Sequence, residues 1–337
     1  MNVGFPIDFV VTWVDGNDAM WRQKKAKYEI GENESRKNDE IATNRYREFG
    51  LFKYWFRSIQ KNAPWVRKIY IVTDNQTPEF LDLNNPKVEI VDHKDIINQK
   101  YLPTFDSNTI DWNLFKIDGL SEHFVYFNDD MFINKPVVPE DFFSSEGKAR
   151  DTVGQSVIMP IEGYDHTLVN NTMKINQLVK KRDVLIKERA QFFSLKQGIP
   201  IFLLNVFLSV FPRFTRLYDA HTAYSFIKKD MTKAYSVLKP ELHENFMEKF
   251  RTADDYSIQF VRYYQIILGH VKTQNMYFGQ TANTNQPEKI KQLLFNNRRA
   301  KVTNVNDKND ATDEDLAQVV KLFERRFPDK SEFEVVR

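Results

Sequence analysis

The chain has 337 residues, 42% hydrophobic and 28% charged, the balance of a globular protein with enough sequence to bury a large core. Its 48 Lys and Arg face 46 Asp and Glu, a net charge of +2, which excludes the strongly basic surface needed for wholesale nucleic-acid binding. There is no cysteine, which excludes disulfides, thiolate catalysis and cysteine metal sites.

The opening MNVGFPIDFVVTWVDG has no basic n-region and no small-residue cleavage site, so the expectation is no secretory signal and a cytoplasmic location. Residues 7–14 (IDFVVTWV) predict a buried strand. Residues 44–62 predict a helix, because Phe49, Phe52, Phe56 and Ile59 recur at spacings of three and four and Pro64 stops it. Residues 68–74 (KIYIVTD) and 87–92 (KVEIVD) predict two further strands, and 107–118 a helix capped by Ser107. Then comes FVYFNDDMFI, residues 124–133, an apolar strand interrupted by adjacent acids. Strands alternating with helices predict an α/β architecture with a mostly parallel sheet flanked by helices.

The second half reads as mostly helical. Residues 173–197 predict a long basic helix: Leu178, Leu185 and Phe192 lie seven apart, with Lys180, Lys181, Arg182, Lys187 and Arg189 between the apolar positions. The following IPIFLLNVFLSVF, residues 199–211, is interrupted by Pro200 and Asn205 and is too short to span a bilayer. Together, residues 173–211 suit peripheral contact with an anionic membrane surface or, as most such runs do, a buried helical hairpin. Residues 231–270 predict further helix. Residues 313–326 predict a last one, with Thr312 or Asp313 as cap, acids in its first turn, Arg325 and Arg326 in its last, and Pro328 beyond.

Asp15, Asp74, Asp92 and Asp129 all fall at or just past the carboxyl end of a predicted strand, the edge at which open α/β sheets bind ligands. Aspartates are also ordinary turn residues, so any one of them has a simpler account. Asp129 and Asp130 after an apolar strand suit a hard divalent cation bridging to phosphate. Gly16, beside Asp15 and before Asp18, would let a backbone approach a ligand closely. Arg45 and Arg47, at the predicted helix start, oppose the helix dipole, which a facing phosphate or simple solvation would explain. Among six histidines, His221 sits between two helical stretches with Arg251 thirty residues on; a histidine there can take a proton, and more often is structural. The loop VNDKND, residues 305–310, offers a further acid, Asp307.

With these residues in view, a resemblance becomes specific. IDFVVTWVDGND resembles the opening block of the Stealth family of sugar-1-phosphate transferases. A second block, from NRYREFGLFKYWFRSIQKNAPWVRKIYIVTD through LPTFDSNTIDWNLFKIDGLSEHFVYFNDDMF, is similar almost without a break. AHTAYSFIKKD to FRTADD matches a third block more loosely, and VNDKNDATDEDLAQVVKLFERRFPDKSEFE resembles the family's ending. Residues 146–215 are the least covered. The family comprises bacterial capsule and cell-wall polysaccharide phosphotransferases and the transferase that marks lysosomal enzymes.

The resemblance implies a Rossmann-like, GT-A-like sheet in residues 1–145 that binds a nucleotide sugar and a mostly helical part at 216–337 completing the site; between them, the residue pattern makes 146–215 a helical insertion, one that would be membrane-proximal if residues 173–211 contact a membrane. It implies transfer of a sugar-1-phosphate from a nucleotide sugar, of the UDP-hexose or UDP-N-acetylhexosamine type, to a glycan or lipid-linked glycan hydroxyl, at the inner face of the membrane. In this reading Asp15, Asp130, His221 and Arg251 serve catalysis. Asp18, Arg45, Asp74, Asn108, Asp111 and Asn128 meet the substrates, and Asp129, Asp130 and Asp307 hold Mg²⁺ or Mn²⁺. Departures are Leu51 where the family has an acid, Phe115 where it has a histidine, Asp106 in place of asparagine, and Thr222-Ala223 after His221. A metal-dependent glycosyltransferase that releases UDP, and a non-catalytic carbohydrate or membrane scaffold, are the two other classes the residues allow.

Overall fold

The computed structural model describes residues 3–29, 46–161 and 163–335. The strands, in chain order, are β1 (Ile7–Thr12), β2 (Ile69–Thr73), β3 (Val88–Asp92), β4 (His123–Asn128), β5 (Met131–Ile133), β6 (Ala149–Asp151), β7 (Tyr224–Ile227), β8 (Val271–Thr273), β9 (Gly279–Asn283) and β10 (Val302–Asn306). The principal helices are α1 (Ala19–Glu29), α2 (Phe52–Asn62), α3 (Ser107–Asp111), α4 (Asp165–Leu178), α5 (Lys181–Lys187), α6 (Ile199–Leu208), α7 (Lys228–Val237), α8 (Gln259–Leu268) and α9 (Asp313–Arg326).

The main sheet runs β3-β2-β1-β4-β7, with the first four strands parallel and β7 antiparallel to β4. Its strands read as unbroken apolar runs because helices cover both faces; Phe9, Val10, Val11, Ile71, Phe124, Val125 and Phe127 are fully buried. Thr12 is in register with Val72 and with Asn128, so the carboxyl ends of β1, β2 and β4 are level. A smaller sheet, β5-β10-β9, stands next to that edge, and β6 pairs with β8. This is the mixed, mostly parallel sheet flanked by helices that alternation of type predicts.

Helix α2 presses Phe52, Trp55, Phe56 and Ile59 onto the sheet; Trp55 meets Phe127 edge-on at 5.5 Å and Phe52 stacks on Trp13 at 5.3 Å. It starts at Phe52 rather than at 44. Tyr46 instead gives its carbonyl to the Gly16 amide at 2.8 Å, and Gly50, at φ +91°, breaks any continuation upstream. Residues 44 and 45 lie outside the described residues.

The helix predicted at 107–118 is α3 followed by a 3-10 turn at Leu114–Lys116, and its cap is Asp106, whose carboxylate accepts the Asn108 and Thr109 amides. The long helix predicted at 173–197 is broken. α4 ends at Leu178, Val179 and Lys180 are extended, and α5 begins with Lys181, which is buried because its ammonium bonds the Leu208 and Arg213 carbonyls. The 231–270 stretch is three helices, with an irregular segment that carries Arg251 between Asn245 and Gln259, and β7 to β10 are strands the helical reading of the second half did not anticipate. The last helix is as predicted, with Thr312 and Asp315 forming a reciprocal cap.

β4 and β5 are joined by a turn of only Asp129 and Asp130, so the chain leaves the main sheet and enters the small one within two residues. Phe132, in β5, is fully buried against Phe323 of α9 at 4.4 Å between ring centres. Phe132→Ala is expected to cost about 3–5 kcal/mol by the cavity it leaves. The check is a denaturant midpoint; an unchanged midpoint would show that the turn is not anchored through this ring.

Candidate active site at the carboxyl edge of the sheet

The Asn128-Asp129-Asp130 turn sits where the two sheets meet. The Asp130 carbonyl accepts the Val305 amide at 2.9 Å, and β10 brings Asn304 opposite Met131, so the turn is pinned from the small-sheet side. Burial holds the Asp129 carboxyl well above the usual carboxylate range, and the neighbouring Asp130 and Glu48 push the same way. Asp130 is raised too, by burial; the His221 side chain and the adjacent Asn304 oppose the shift, and Asp307 adds to it. Asp130 Oδ1 and both amide atoms of Asn304 are buried without a hydrogen-bond partner. Orphaned polar atoms of this kind mark a place that something else completes.

Among the described residues no group of three or more carboxylates and histidines converges as a ready-made metal cage. The donor set still fits a hard cation that takes one or two carboxylates and leaves its other positions to water and phosphate, as Mg²⁺ does. Asp307, the third expected ligand, is tied elsewhere: both its oxygens receive the Arg47 fork at 2.6 and 2.8 Å, and Thr284 donates to it at 3.0 Å.

A second wall comes from α3 and the segment before α8. The Asp111 carboxylate accepts the Tyr126 hydroxyl at 2.6 Å, and that hydroxyl lies 3.1 Å from Thr12 Oγ1. Burial lifts Asp111 to about 7. Arg251 donates to Ser107, lies over the Tyr164 ring at 5.5 Å, and sits 3.8 Å from buried Asp106. Asn108 is not open to a ligand, because its amide donates to Asp255 at 3.1 Å.

His221 joins the walls. It has φ +45°, a left-handed conformation that a non-glycine residue keeps only when its surroundings hold it. Asp219 supplies the hold by accepting the His221 amide at 2.9 Å. Asp219 also receives Gln259 at 2.8 Å and Arg262 at 3.0 Å, and Arg262 forks onto Asp151 at 2.7 and 2.8 Å. Burial works against the Arg262 charge, but Asp151 and Asp219 raise its pKa regardless.

The other expected residues are tied structurally. Asp15 accepts the Asn17 amide at 2.8 Å and is clamped through its backbone to Gln76. Asp18 starts α1 by accepting the Trp21 amide at 2.7 Å. Asp74 pairs with Lys24, and Asp92 caps the short helix after β3. Gly16 approaches protein rather than ligand: a Cβ there would meet the Tyr46 carbonyl at 2.0 Å. Arg45 lies outside the described residues. Leu51 is buried core, while Glu48, three positions earlier, takes the Trp13 indole at 3.1 Å. Phe115 stacks edge-on with Tyr235 at 5.2 Å.

Sequence reasoning passed over Asp219, Arg262, Tyr164 and Asn304. Two of them left a trace: an aspartate two residues before a histidine is a turn-forming pattern, and a lone arginine inside the apolar QFVRYYQIIL of α8 needs buried partners. Tyr164 and Asn304 left none, since neither type is unusual in its local context.

Arg262→Met removes the buried cation that bridges two half-buried carboxylates and is expected to cost about 3–5 kcal/mol in an unfolding titration. A loss below about 1 kcal/mol would show that Asp151 and Asp219 are adequately solvated without it. For Asp111 the folded pKa is above the ordinary value, so its stabilising contribution is complete below about pH 4 and is lost as pH rises through about 7. The thermal midpoint should therefore fall over that window, and Asp111→Asn should flatten the slope; an identical slope in the variant would refute the assignment.

Two conserved regions of a known family match this chain: Stealth protein CR1, conserved region 1, over residues 5–32, and Stealth protein CR2, conserved region 2, over residues 45–151. The exopolysaccharide phosphotransferase cps2G of Lactiplantibacillus plantarum is 41% identical over 98% of this chain and 96% of its own. The receptor polysaccharide phosphotransferase WefC of Streptococcus gordonii and a capsular polysaccharide phosphotransferase WcwK of Streptococcus pneumoniae are each 36% identical over 98% of this chain and 99% of theirs. Among solved structures, the galactosyltransferase LgtC, in complex with donor and acceptor sugar analogues, aligns over 96% of this chain and 98% of its own, at 10% identity and a TM-score of 0.41. At that distance the likeness bears on neither chemistry nor substrate. The near full-length relatives and the two matched regions decide the identity: the chain belongs to the Stealth family and is a phosphotransferase.

Proposed function

We propose that this enzyme transfers a sugar-1-phosphate from a nucleotide sugar, a UDP-hexose or UDP-N-acetylhexosamine, to a hydroxyl of a glycan or lipid-linked glycan in capsule or exopolysaccharide synthesis, releasing UMP. The observation that carries the reading is the half-buried Asn128-Asp129-Asp130 turn, with the unmatched atoms of Asp130 and Asn304 and with His221 within electrostatic reach of Asp130. The names of the near full-length relatives, all polysaccharide phosphotransferases, supply the acceptor class.

In this reaction the acceptor hydroxyl attacks the β-phosphorus. A new oxygen–phosphorus bond forms, and the bond from that phosphorus to the bridging oxygen breaks, its electron pair leaving with UMP. The sugar–oxygen bond is untouched, so anomeric configuration is retained. Catalysis of such a transfer is mostly positioning and charge neutralisation. His221 is the better placed of the two proton acceptors, because Asp219 holds its backbone and Asp130 lies next to it, whereas the Asp15 carboxylate is already engaged with Asn17. Arg251, partly open to solvent, offers charge-assisted donors to phosphate oxygens. Asn128 presents its amide at the strand end, and Arg45 would add charge from outside the described residues. Mg²⁺ or Mn²⁺, when held by Asp129 and Asp130, would supply further neutralisation of the diphosphate.

Incubation with a panel of UDP-sugars, Mg²⁺ and a glycan acceptor should yield UMP. UDP as the only nucleotide product would overturn the reading in favour of glycosyl transfer. Asp130→Asn and His221→Asn should each lower kcat at least about 100-fold with the fold intact, the scale expected when a charge-stabilising or proton-transferring group is removed.

A further inference from the structure

Helix α6 has an outer face that the fold leaves uncovered. Ile201, Asn205 and Leu208 point inward and are buried, with Asn205 bonded to the Val153 and Phe192 carbonyls. On the other side Ile199, Leu203, Val206, Phe207, Val210 and Phe211 form one stripe, each between 44% and 78% exposed. Spacings of three and four put Ile199, Leu203, Val206 and Phe207 on one side of a helix about 15 Å long, and Val210 and Phe211 continue the stripe in the turn that follows it. Contiguous apolar surface of this kind marks an interaction site on a water-soluble fold. No helix among the described residues is long and apolar enough to cross a membrane, so the stripe is not part of a span.

Its surroundings are predominantly cationic. From Arg189 to Tyr218 there is no carboxylate, and over residues 180–213 seven Lys and Arg face only Asp183 and Glu188, in a chain whose total is +2. The cations stand at both ends of the helix. Lys196 precedes its first turn, and Arg213 follows its last. Arg182 is brought to the same end, because its neighbour Lys181 bonds the Leu208 and Arg213 carbonyls. Lys196, Arg213 and Arg182 are exposed, and none of them forms an ion pair among the described residues. A protein interface normally mixes both signs at its rim. An apolar wedge bordered mainly by cations is complementary to a bilayer carrying anionic lipid, where the ring and aliphatic groups enter the headgroup boundary and the cations meet phosphates.

We infer that α6 docks this enzyme on the surface of an anionic membrane. The position of the helix relative to the site gives that contact a use. An open groove of about 810 Å³ starts at the α6 N-terminus, with Leu195, Ile199 and Pro200 on one lip and both bases (Arg150, Arg299, Lys301) and acids (Glu140, Asp141) on its other walls. Arg150 and Phe278 of that groove also line a small cleft with Ala220 and Thr222, the two neighbours of His221. A surface-held enzyme therefore presents an open groove running from the bilayer plane towards the candidate active site.

The test is co-sedimentation of the full chain with phosphatidylcholine vesicles, with and without phosphatidylglycerol, alongside light scattering of the protein alone. Capture by the anionic vesicles is expected, at least about tenfold stronger than by phosphatidylcholine alone and weakened by salt, since each interfacial Lys or Arg contributes roughly a fivefold gain. Leu203→Glu with Phe207→Glu should abolish capture. Arg182→Gln with Lys196→Gln and Arg213→Gln should reduce it at least about tenfold, by the same count of interfacial cations. All these positions are exposed, so a normal circular-dichroism melt and unchanged turnover of a water-soluble acceptor keep the comparison clean. No capture, or equal capture by neutral vesicles, would overturn the inference. So would a wild-type dimer that Leu203→Glu with Phe207→Glu converts to monomer, because a second copy would then cover the stripe. The vesicle result does not depend on which nucleotide the enzyme releases.

Discussion

The shortness of the connection between β4 and β5 is the constraint on which the candidate site depends. β4 is the inner parallel strand between β1 and β7, and β5 belongs to a different sheet. Both are buried, and two residues join them. Any side chains at that corner are enclosed by packing on either side, so Asp129 and Asp130 are lifted in pKa by desolvation before any neighbour acts. A fold accepts such a cost only where the corner is rigidly held. Here that is done by Phe132 on α9 and by the Val305 amide on the Asp130 carbonyl. The energy of the core thereby maintains an arrangement of carboxyls that would not persist in an open loop.

Charge is apportioned around this corner in a consistent way. Arginines hold most of the acids that serve the frame: Arg67 holds Asp8 beneath the sheet, Arg47 holds Asp307 beside it, and Arg262 holds Asp151 and Asp219 behind His221. Each is a fork onto a carboxylate or a pair of carboxylates, the geometry in which a guanidinium replaces lost hydration best. Asp130 receives no such partner, and Asp111 receives only a tyrosine hydroxyl. The same region thus contains carboxyls neutralised by protein and carboxyls that remain to be neutralised. The second class is what a phosphate-handling enzyme needs within reach of Arg251.

Much of the frame was legible from residue pattern. β1 to β4 are runs of apolar residues with no competing reading, and α9 carries a cap, a dipole-matched charge order and a proline stop. The motif blocks were legible as a family for the same reason: the residues they quote are the buried strands and the acids at their ends. The second half resisted because its strands are short, of three to five residues, and lie among amphipathic stretches, so periodicity favoured helix. The heptads at 173–197 are real but are shared between α4, α5 and the short helix Arg189–Phe192, since the buried Lys181 side chain satisfies the carbonyls of Leu208 in α6 and Arg213 beyond it and none of its own helix.

The sequence by itself determined the parallel core, the strand-end position of Asp15, Asp74, Asp92 and Asp129, the capped last helix and the family, because each rests on local spacing or on a contiguous block. Tertiary structure alone decided which of the strand-end acids are free. Asp74 meets Lys24, Asp92 caps the turn after its own strand, and Asp15 closes on Asn17, while Asp130 stays unmatched beside Asn304 and His221. The reason is physical: a carboxylate's role follows from which donors lie within hydrogen-bond reach, and for this corner the neighbours come from β10 and from the loop before β7, more than ninety residues away in the chain.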